Sequence, residues 1–259
     1  MPGDRVASSG RVATTGRVAT TGRFFDPRSV PGIVLWFRGD LGVTQDGGGK
    51  VQTWADQSGN GYDVTQATSS KRPAFTSSLA AFGNRPSLDF TTAAVSALAN
   101  TTQNPLAQSA ARTIFAVVRP TDTVGFSVLD FRVVGGNDFA FQYFQAGDGN
   151  TYVYSDGTTT NIILTPQYQP SPFTNAAAQV TWTCPATGGK LGWRLNRRTY
   201  QTTSTVPAES AGTGFSVGNR PPHGQSWNGN IGEIIVYNGV LSSGARDAIE
   251  TYQKAWFNL

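Results

Sequence analysis

The chain has 259 residues and a formal net charge of +4, with 38% hydrophobic, 11% aromatic and only 14% charged residues. This composition excludes a charged disordered polymer and a long-helix protein, and its 30 glycines and 14 prolines favour short strands joined by turns. The single cysteine, Cys184, excludes an internal disulfide, and no apolar run reaches the roughly 20 residues that span a bilayer. An all-β protein with a sizeable core is therefore predicted.

The N-terminal 30 residues form a repetitive arm. Residues 5–22 repeat the unit Arg-Val-Ala-x-x-Gly three times. Because the arm has few bulky side chains, it buries too little apolar surface to offset the conformational entropy lost on ordering. The arm alone is therefore expected to be disordered and to become ordered on a partner. In an extended chain an even period places every sixth residue on one side, roughly 20 Å apart. The predicted docking residues are Arg5, Arg11, Arg17 and Arg23. The alternative is a solvated tail or a repeat expansion without a function.

The arm also carries most of the charge. Five arginines and two aspartates in residues 1–28 give +3 of the total +4. The high pI of about 9.4 is therefore caused by the arm and does not indicate a basic face on the domain. A dedicated nucleic-acid-binding domain is therefore not expected. The arm lacks the apolar middle of a secretory signal peptide, which predicts synthesis in a cytosol.

From residue 33 onwards, short apolar runs separated by turn residues predict at least ten strands, and several of these runs alternate in polarity. In chain order they are Ile33–Phe37, Thr113–Val118, Phe126–Phe131, Phe139–Phe144, Thr151–Tyr154, Ile162–Leu164, Gln179–Thr183, Leu191–Leu195, Phe215–Gly218 and Ile231–Tyr237. This number of strands indicates an antiparallel sandwich of two sheets. A single convincing helix follows, capped by Ser242 or Ser243, with Ala245, Ile249, Tyr252 and Trp256 on one stripe. The simplest division is an arm over 1–30 and one domain over 31–259.

Two groups of motifs resemble a known family. The first group lies near the start and consists of Val34-Leu35-Trp36-Phe37, the run from Val51 to Gly61, and Asn84-Arg85-Pro86 before Leu88-Asp89-Phe90. The second group lies near the end and consists of Phe215 to Gly218, the run from Trp227 to Asn238, and the helix. In this order they resemble the concanavalin A-like lectin/glucanase superfamily, in its laminin G-like jelly-roll branch. The resemblance covers residues 31–259 and implies a jelly roll of the kind found in bacterial surface proteins and tailed-phage virion proteins. One jelly roll hosts many functions, so the site is argued separately.

Catalytic residues are not found by their usual patterns. Glycosidases of this superfamily place paired acids along one strand, whereas Glu209, Glu233 and Glu250 are the chain's only glutamates and residues 234–237, which follow Glu233, include no second acid. Glu233 is expected to receive structural hydrogen bonds. The one histidine, His223, and the one cysteine exclude a zinc site of the usual kind. The chain is therefore predicted not to be an enzyme.

Two binding sites are candidates. Asp56, Ser58 and Asn60 imitate the first half of a calcium loop, without its closing Glu, and the alternative is a turn that these side chains hydrogen-bond themselves. Tyr62, His223 and Trp227 could stack on a glycan if surface loops carry them, and the alternative is core packing.

The leading hypothesis is a non-enzymatic virion structural protein of a tailed bacteriophage, a capsid decoration or tail component held on the particle surface by its arm. Its expected partners are other virion proteins, and it is expected to form a homo-oligomer, with a trimer as the first choice. Synthesis is expected in the host cytoplasm. The alternative is a glycan-binding module for attachment to the host surface. No cofactor other than calcium is expected.

Overall fold

The computed structural model describes residues 25–122, 127–134, 139–142, 151–155, 162–164, 175–206, 208–209, 212–220 and 225–259. Two large antiparallel sheets lie face to face in this part of the chain. The first sheet contains β1 (Ile33–Arg38), β5 (Ala74–Leu79), β6 (Arg85–Phe90), β8 (Arg112–Pro120), β13 (Ala178–Cys184), β14 (Lys190–Leu195), β15 (Arg198–Thr205) and β19 (Gly229–Asn238). The second contains β2 (Val43–Gln45), β3 (Val51–Trp54), β4 (Val64–Thr65), β7 (Leu98–Asn100), β9 (Ser127–Val134), β10 (Phe139–Gln142), β11 (Thr151–Ser155), β12 (Ile162–Leu164) and β16 (Thr213–Val217).

The smaller elements complete the described structure. A two-stranded ribbon joins β17 (Asn219–Arg220) to β18 (Gln225–Ser226). Short 3-10 turns cover Pro27–Ser29, Ser69–Lys71 and Ala80–Phe82, and the helix α1 covers Ser243–Phe257. The predicted all-β sandwich with one C-terminal helix is confirmed. The arm up to residue 24, with Arg5, Arg11, Arg17 and Arg23, lies outside the described residues.

The strand order of the first sheet is β15-β14-β13-β8-β19-β6-β5, and β1 pairs with β19. Two strands pair with successive parts of the same edge of β19: β6 pairs with Gly229 to Ile231, and β1 pairs with Glu233 to Tyr237. The second sheet runs β12-β11-β10-β9-β16-β7-β4-β3-β2. Every pairing in both sheets is antiparallel.

The central strands of the first sheet are buried on both faces, which explains their continuous apolar sequences. In β8, Ile114 and Ala116 point into the core between the sheets, while Phe115 and Val117 belong to clusters on the opposite face. The helix α1 covers that opposite face with Ile249, Tyr252 and Phe257, among others.

Sequence signals at both ends of α1 agree with its observed limits. The Ser242 side chain accepts a hydrogen bond from the Ala245 N–H at 3.3 Å, which is the expected N-cap. The helix ends at Asn258, whose φ of 53° is left-handed, a conformation that Asn tolerates better than most residues. The apolar stripe of the sequence prediction therefore rests on the sheet as expected. No helix in the described part of the chain has the length and apolarity needed to cross a membrane.

Gly232 lets the end of α1 approach the sheet closely. A Cβ at this position would lie 2.9 Å from the Phe257 ring and 3.0 Å from the Phe82 ring. These two rings meet edge to face at 5.6 Å between centroids. The contact places the C-terminal end of α1 beside the turn at Ala80–Phe82, where an open cleft begins.

Candidate functional site

The calcium candidate is a turn held by its own hydrogen bonds. The Asp56 carboxylate accepts from the backbone N–H groups of Trp36 at 2.9 Å, Ser58 at 2.9 Å and Tyr62 at 3.2 Å, and from the Ser58 hydroxyl at 2.7 Å. The Asn60 amide donates to the Val34 carbonyl at 3.2 Å. These bonds fasten the loop to β1.

This arrangement does not fit a calcium ion. A carboxylate offers about four lone-pair sites, and four donors already use those of Asp56. Calcium needs six to eight oxygen ligands. Within the described residues no group of three His, Cys, Asp or Glu side chains could hold a metal ion. Asp56, Ser58 and Asn60 therefore form the hydrogen-bonded turn that was weighed against a calcium site.

Of the three glycan candidates, the structure describes Trp227 and Tyr62, and both lie in or against the core. Trp227 is 0% exposed and belongs to the core between the sheets, which is the core packing stated above as the alternative to glycan stacking. Tyr62 is half-buried and packs against the same core. His223 lies outside the described residues.

All three glutamates are buried in structural contacts. Glu209 pairs with Arg112, and the Glu250 carboxylate accepts from the Thr181 hydroxyl at 2.8 Å. Glu233 lies under α1, as its predicted structural role requires. It accepts hydrogen bonds from the Trp36 indole N–H at 2.8 Å, the Tyr252 hydroxyl at 2.7 Å and the Gln253 amide at 3.0 Å, the last two of which α1 supplies.

Burial raises the pKa of the Glu233 carboxyl to about 6, although hydrogen bonds from its three donors lower it again in part. The carboxylate is fully buried, and a low-dielectric surrounding disfavours its charged form. Three converging donors nevertheless suit an ionised acceptor. Glu233 is thus an ionised structural anchor for α1 near neutral pH.

A cleft of about 290 Å³ opens at the C-terminal end of α1, and we call it the helix-end cleft. Four parts of the chain meet there: the turn at Ala80–Phe82, the start of β13, the turn between β14 and β15, and the end of α1. Its polar lining residues are Gln179, Asn196, Arg197, Lys254 and Asn258. The small or apolar residues Ala81, Ala177 and Leu259 complete the lining.

Gln179 forms a fixed polar group in this cleft. It is only 2% exposed, and its Nε2 donates to the Glu250 carbonyl at 2.8 Å and to the Gln253 Oε1 at 3.1 Å. No described residue donates a hydrogen bond to the Gln179 Oε1. Because both amide hydrogens are already used, this oxygen is an oriented acceptor available to a ligand.

Gln253 connects the cleft to the buried acid. Its Nε2 donates to the Glu233 Oε2 at 3.0 Å while its Oε1 accepts from Gln179. The cleft is therefore anchored through one chain of side-chain hydrogen bonds to the anchor of α1. We call Glu233, Gln253 and Gln179 the amide relay.

The turn between β14 and β15 holds the opposite side of the cleft. Asn196 and Arg197 have φ values of 47° and 70°, as a two-residue type I′ hairpin turn requires. The Asn196 Oδ1 accepts from the Gln179 N–H at 2.9 Å, and the Asn196 N–H donates to the Gln179 carbonyl at 2.9 Å. These reciprocal bonds fix the distance between the turn and the cleft's buried amide.

Sequence reasoning missed every lining residue of the helix-end cleft. One local signal was available, because Arg197 occupies the second turn position where Gly is strongly preferred. Nothing in the sequence shows that Lys254, far along the chain, lies beside the same turn.

No protein-family model matches the chain, and no curated protein matches it. Solved structures do show the fold. Domain 4 of AbnA, a GH43 extracellular arabinanase from Geobacillus stearothermophilus, in complex with arabinotriose, has a TM-score of 0.52 at 13% identity, over 84% of this chain and 98% of that chain. The binding domain of Paraclostridial Mosquitocidal Protein 1 has a TM-score of 0.58 at 12% identity, over 90% of this chain and 54% of that chain.

A GH54 α-L-arabinofuranosidase has a TM-score of 0.53 at 13% identity, over 80% of this chain and 51% of that chain. The chain thus spans nearly all of the arabinanase domain but about half of the other two chains. At such identities the likeness shows a shared β-sandwich, of the kind found in carbohydrate-binding and glycan-active proteins. The laminin G-like branch of the expected resemblance stays a prediction.

The prediction that the chain is not an enzyme is corrected by these structures. It rested on a missing carboxylate pair along one strand, whereas this fold occurs within glycoside hydrolases that include GH43 and GH54 proteins. Carboxylates from separate strands and loops can meet in a folded site, so a pattern on one strand cannot exclude hydrolysis.

Proposed function

We propose that the chain is a carbohydrate-binding β-sandwich module and that the sugar lies in the helix-end cleft. The observation that carries this proposal is the buried Gln179 amide, whose Oε1 receives no hydrogen bond from the described residues while its Nε2 is held by two acceptors. A sugar hydroxyl is a donor of the kind this oxygen needs. The oxygen is fixed before the ligand arrives, so binding orders no further group there.

The rest of the cleft suits the same ligand class. Its volume of about 290 Å³ is near the lower limit of small-molecule pockets, about 300 Å³. Asn196 and Asn258 supply further amides, and Ala177 supplies a small apolar surface. The arabinanase domain that covers 98% of its chain in the comparison was solved with arabinotriose, which supports a saccharide ligand for this fold.

Binding to a panel of neutral and acidic oligosaccharides, measured by glycan array and then by calorimetry, tests the proposal. Gln179→Met removes the amide with little change in volume, and we expect it to weaken the best binder about tenfold, the effect of one buried hydrogen bond to an oriented group. Gln52→Met is the matched control, because Gln52 is exposed on β3. Absence of any binder, or equal affinity of the Gln179 variant when folded, would refute the proposal.

We also propose that the module is carried on a tailed-bacteriophage particle by its arm, in the capsid or the tail. The base of the arm is fixed to the domain: the Phe25 ring lies 5.6 Å from the Tyr252 ring, and the Pro27 carbonyl accepts from the Tyr237 hydroxyl at 2.8 Å. A chain leaving this point can add an extended segment to a neighbouring subunit, with Arg11 and Arg17 meeting acidic groups.

Deletion of residues 2–23 tests the anchoring proposal in purified particles. We expect the shortened protein to fold and to be missing from the particle, as quantified by mass spectrometry against the major capsid protein. Normal incorporation would refute anchoring by the arm. Hundreds of full-length copies per particle would assign it to capsid decoration, and a few tens to the tail.

Further proposals follow from the particle setting. Other virion proteins receive the arm, host-surface glycan is the ligand, and the protein is made in the host cytoplasm before it reaches the virion surface. Symmetric oligomers are the general expectation for such parts, and we propose a homotrimer.

A further inference from the structure

Two cationic side chains line the helix-end cleft, and no carboxylate side chain of the described residues does. Arg197 and Lys254 are both exposed, and neither forms an ion pair with a described residue. Arg197 donates one hydrogen bond, from Nη1 to the Thr251 hydroxyl at 3.0 Å. Most of the Arg197 guanidinium donors therefore remain available.

The nearby acidic side chains are directed at another arginine. Arg194 approaches Asp247 at 2.8 Å and Glu250 at 3.2 Å. The Arg194 hydrogen bond, more than any other cause, lowers the pKa of the Asp247 carboxyl. Arg197 also acts on Asp247 and Glu250 through its charge, but neither Arg197 nor Lys254 is held in a direct ion pair with them.

The end of α1 offsets these charges only in part. Carbonyl groups at a helix C-terminus carry partial negative charge, which would repel an anion. Here the Lys254 carbonyl accepts from the Asn258 N–H and, at 3.1 Å, from the Leu259 N–H. This carbonyl is therefore already satisfied where the helix meets the cleft.

The backbone of Arg197 supplies an independent observation. Its φ of 70° costs a residue with a Cβ about 1–2 kcal/mol relative to right-handed conformations. Gly would fill the second position of this turn without strain. Strained backbone conformations of this kind cluster at functional sites.

We propose that the ligand of the helix-end cleft is an acidic oligosaccharide, in which a sugar carboxylate binds Arg197 and Lys254. This inference rests on the proposed carbohydrate binding and names its ligand class. The planar Arg197 guanidinium takes the carboxylate through paired hydrogen bonds. Lys254 adds a point charge, and the Gln179 Oε1 accepts a hydroxyl of the same sugar.

The test compares trigalacturonate with its carboxyl-reduced form, which differs only in the charged groups. We expect trigalacturonate to bind the full chain at least tenfold more tightly, since hydrogen bonds to charged partners are about twice as strong as neutral ones. Arg197→Gln and Lys254→Gln should each weaken the binding of trigalacturonate more than that of the reduced form, and so reduce this difference. Arg198→Gln is the matched control, because Arg198 is exposed in the same hairpin and does not line the cleft.

The outcomes separate this inference from the proposed function. Binding of neutral sugars only, or equal binding of the two trimers, would refute the acidic ligand and leave carbohydrate binding intact. No binding by any sugar of the panel would refute both. A single-stranded oligonucleotide of equal charge that binds as tightly, with the same loss in Arg197→Gln, would show a general polyanion site and also overturn the inference. Gln179→Met should weaken the binding of both trimers to a similar extent, whereas the Arg197 and Lys254 variants should weaken mainly the binding of trigalacturonate.

Discussion

Replacing Glu233 by Gln should remove a specific pH dependence from the stability of the fold. Burial raises the pKa of Glu233 from its ordinary value of 4.5 to about 6. The folded state therefore holds this proton more tightly than the unfolded state does. The stabilisation is complete below about pH 4.5 and is lost as the pH rises through about 6.

The magnitude follows from the shift. Each pKa unit corresponds to about 1.36 kcal/mol, so the difference in unfolding free energy between wild type and Glu233→Gln should change by about 2 kcal/mol between pH 4 and pH 7. Wild type loses stability relative to the variant in this interval. Because the prediction concerns the change with pH, it does not depend on the cost of the substitution itself.

Urea unfolding at a series of pH values, followed by tryptophan fluorescence, measures this difference. Asp247→Asn is the matched control, because it makes the same chemical change where the carboxyl pKa is lowered. Because the Asp247 pKa is lowered from 3.8, the difference of this variant from wild type should stay nearly constant from pH 4 to pH 7 and change, in the opposite direction, only below about pH 4. A difference between wild type and Glu233→Gln that stays constant from pH 4 to pH 7 would refute the raised pKa of the buried Glu233 carboxyl.

The same substitution also tests the amide relay. An amide at position 233 would turn a donor towards the Gln253 Nε2, which now donates to Glu233. Two N–H donors would then face each other at this contact. Rotating the Gln253 amide by 180° would relieve it, but would bring the Gln253 Nε2 against the Gln179 Nε2, which now donates to Gln253. The exchange E233Q with Q253E restores complementary polarity, so the double variant should be more stable than the sum of the two single variants by about 1–3 kcal/mol. Additive effects would contradict the relay.

Three further substitutions have direct expectations. Trp227→Ala should lower the unfolding free energy by about 3–5 kcal/mol in a urea titration, with unchanged sugar affinity in the remaining folded protein; a selective loss of affinity would return Trp227 to the binding site. Gly232→Ala should cost about 1–3 kcal/mol through overpacking against Phe257, whose ring would lie 2.9 Å from the new Cβ, and a neutral thermal melt would contradict this. Arg197→Gly should keep stability within about 1 kcal/mol, since relief of left-handed strain offsets added chain entropy, while trigalacturonate affinity falls; a large loss of stability would show that Arg197 is structural.

The parts of the fold that sequence predicts are those set by local periodicity. The uninterrupted apolar run of β8 is explained by two covered faces, because Ile114 faces one sheet and Phe115 faces α1. The stripe and the Ser242 cap of α1 are local as well, and both are observed. Burial of Trp227 was harder to predict, since an aromatic in a polar loop suits either a core or a surface.

The candidate site was unpredictable for a different reason. Gln179, Arg197 and Lys254 are ordinary polar residues in their own segments, and none belongs to a motif. Their meeting depends on pairing between β13 and β14 and on the seat of α1, which are long-range features of the sandwich. The motif that did stand out, from Asp56 to Asn60, serves the backbone of its own loop.

The helix-end cleft combines one rigid group with two mobile ones, and this division affects how it would bind. Gln179 is held by two hydrogen bonds in a buried position, so it loses little entropy on meeting a ligand. A free Lys or Arg side chain loses up to about 2 kcal/mol when ordered, a cost that falls on Lys254 and is reduced for Arg197 by its bond to Thr251. In the proposed complex, the buried amide would therefore set the position of the sugar, while the exposed cations, which are screened by salt, would select among sugars by charge.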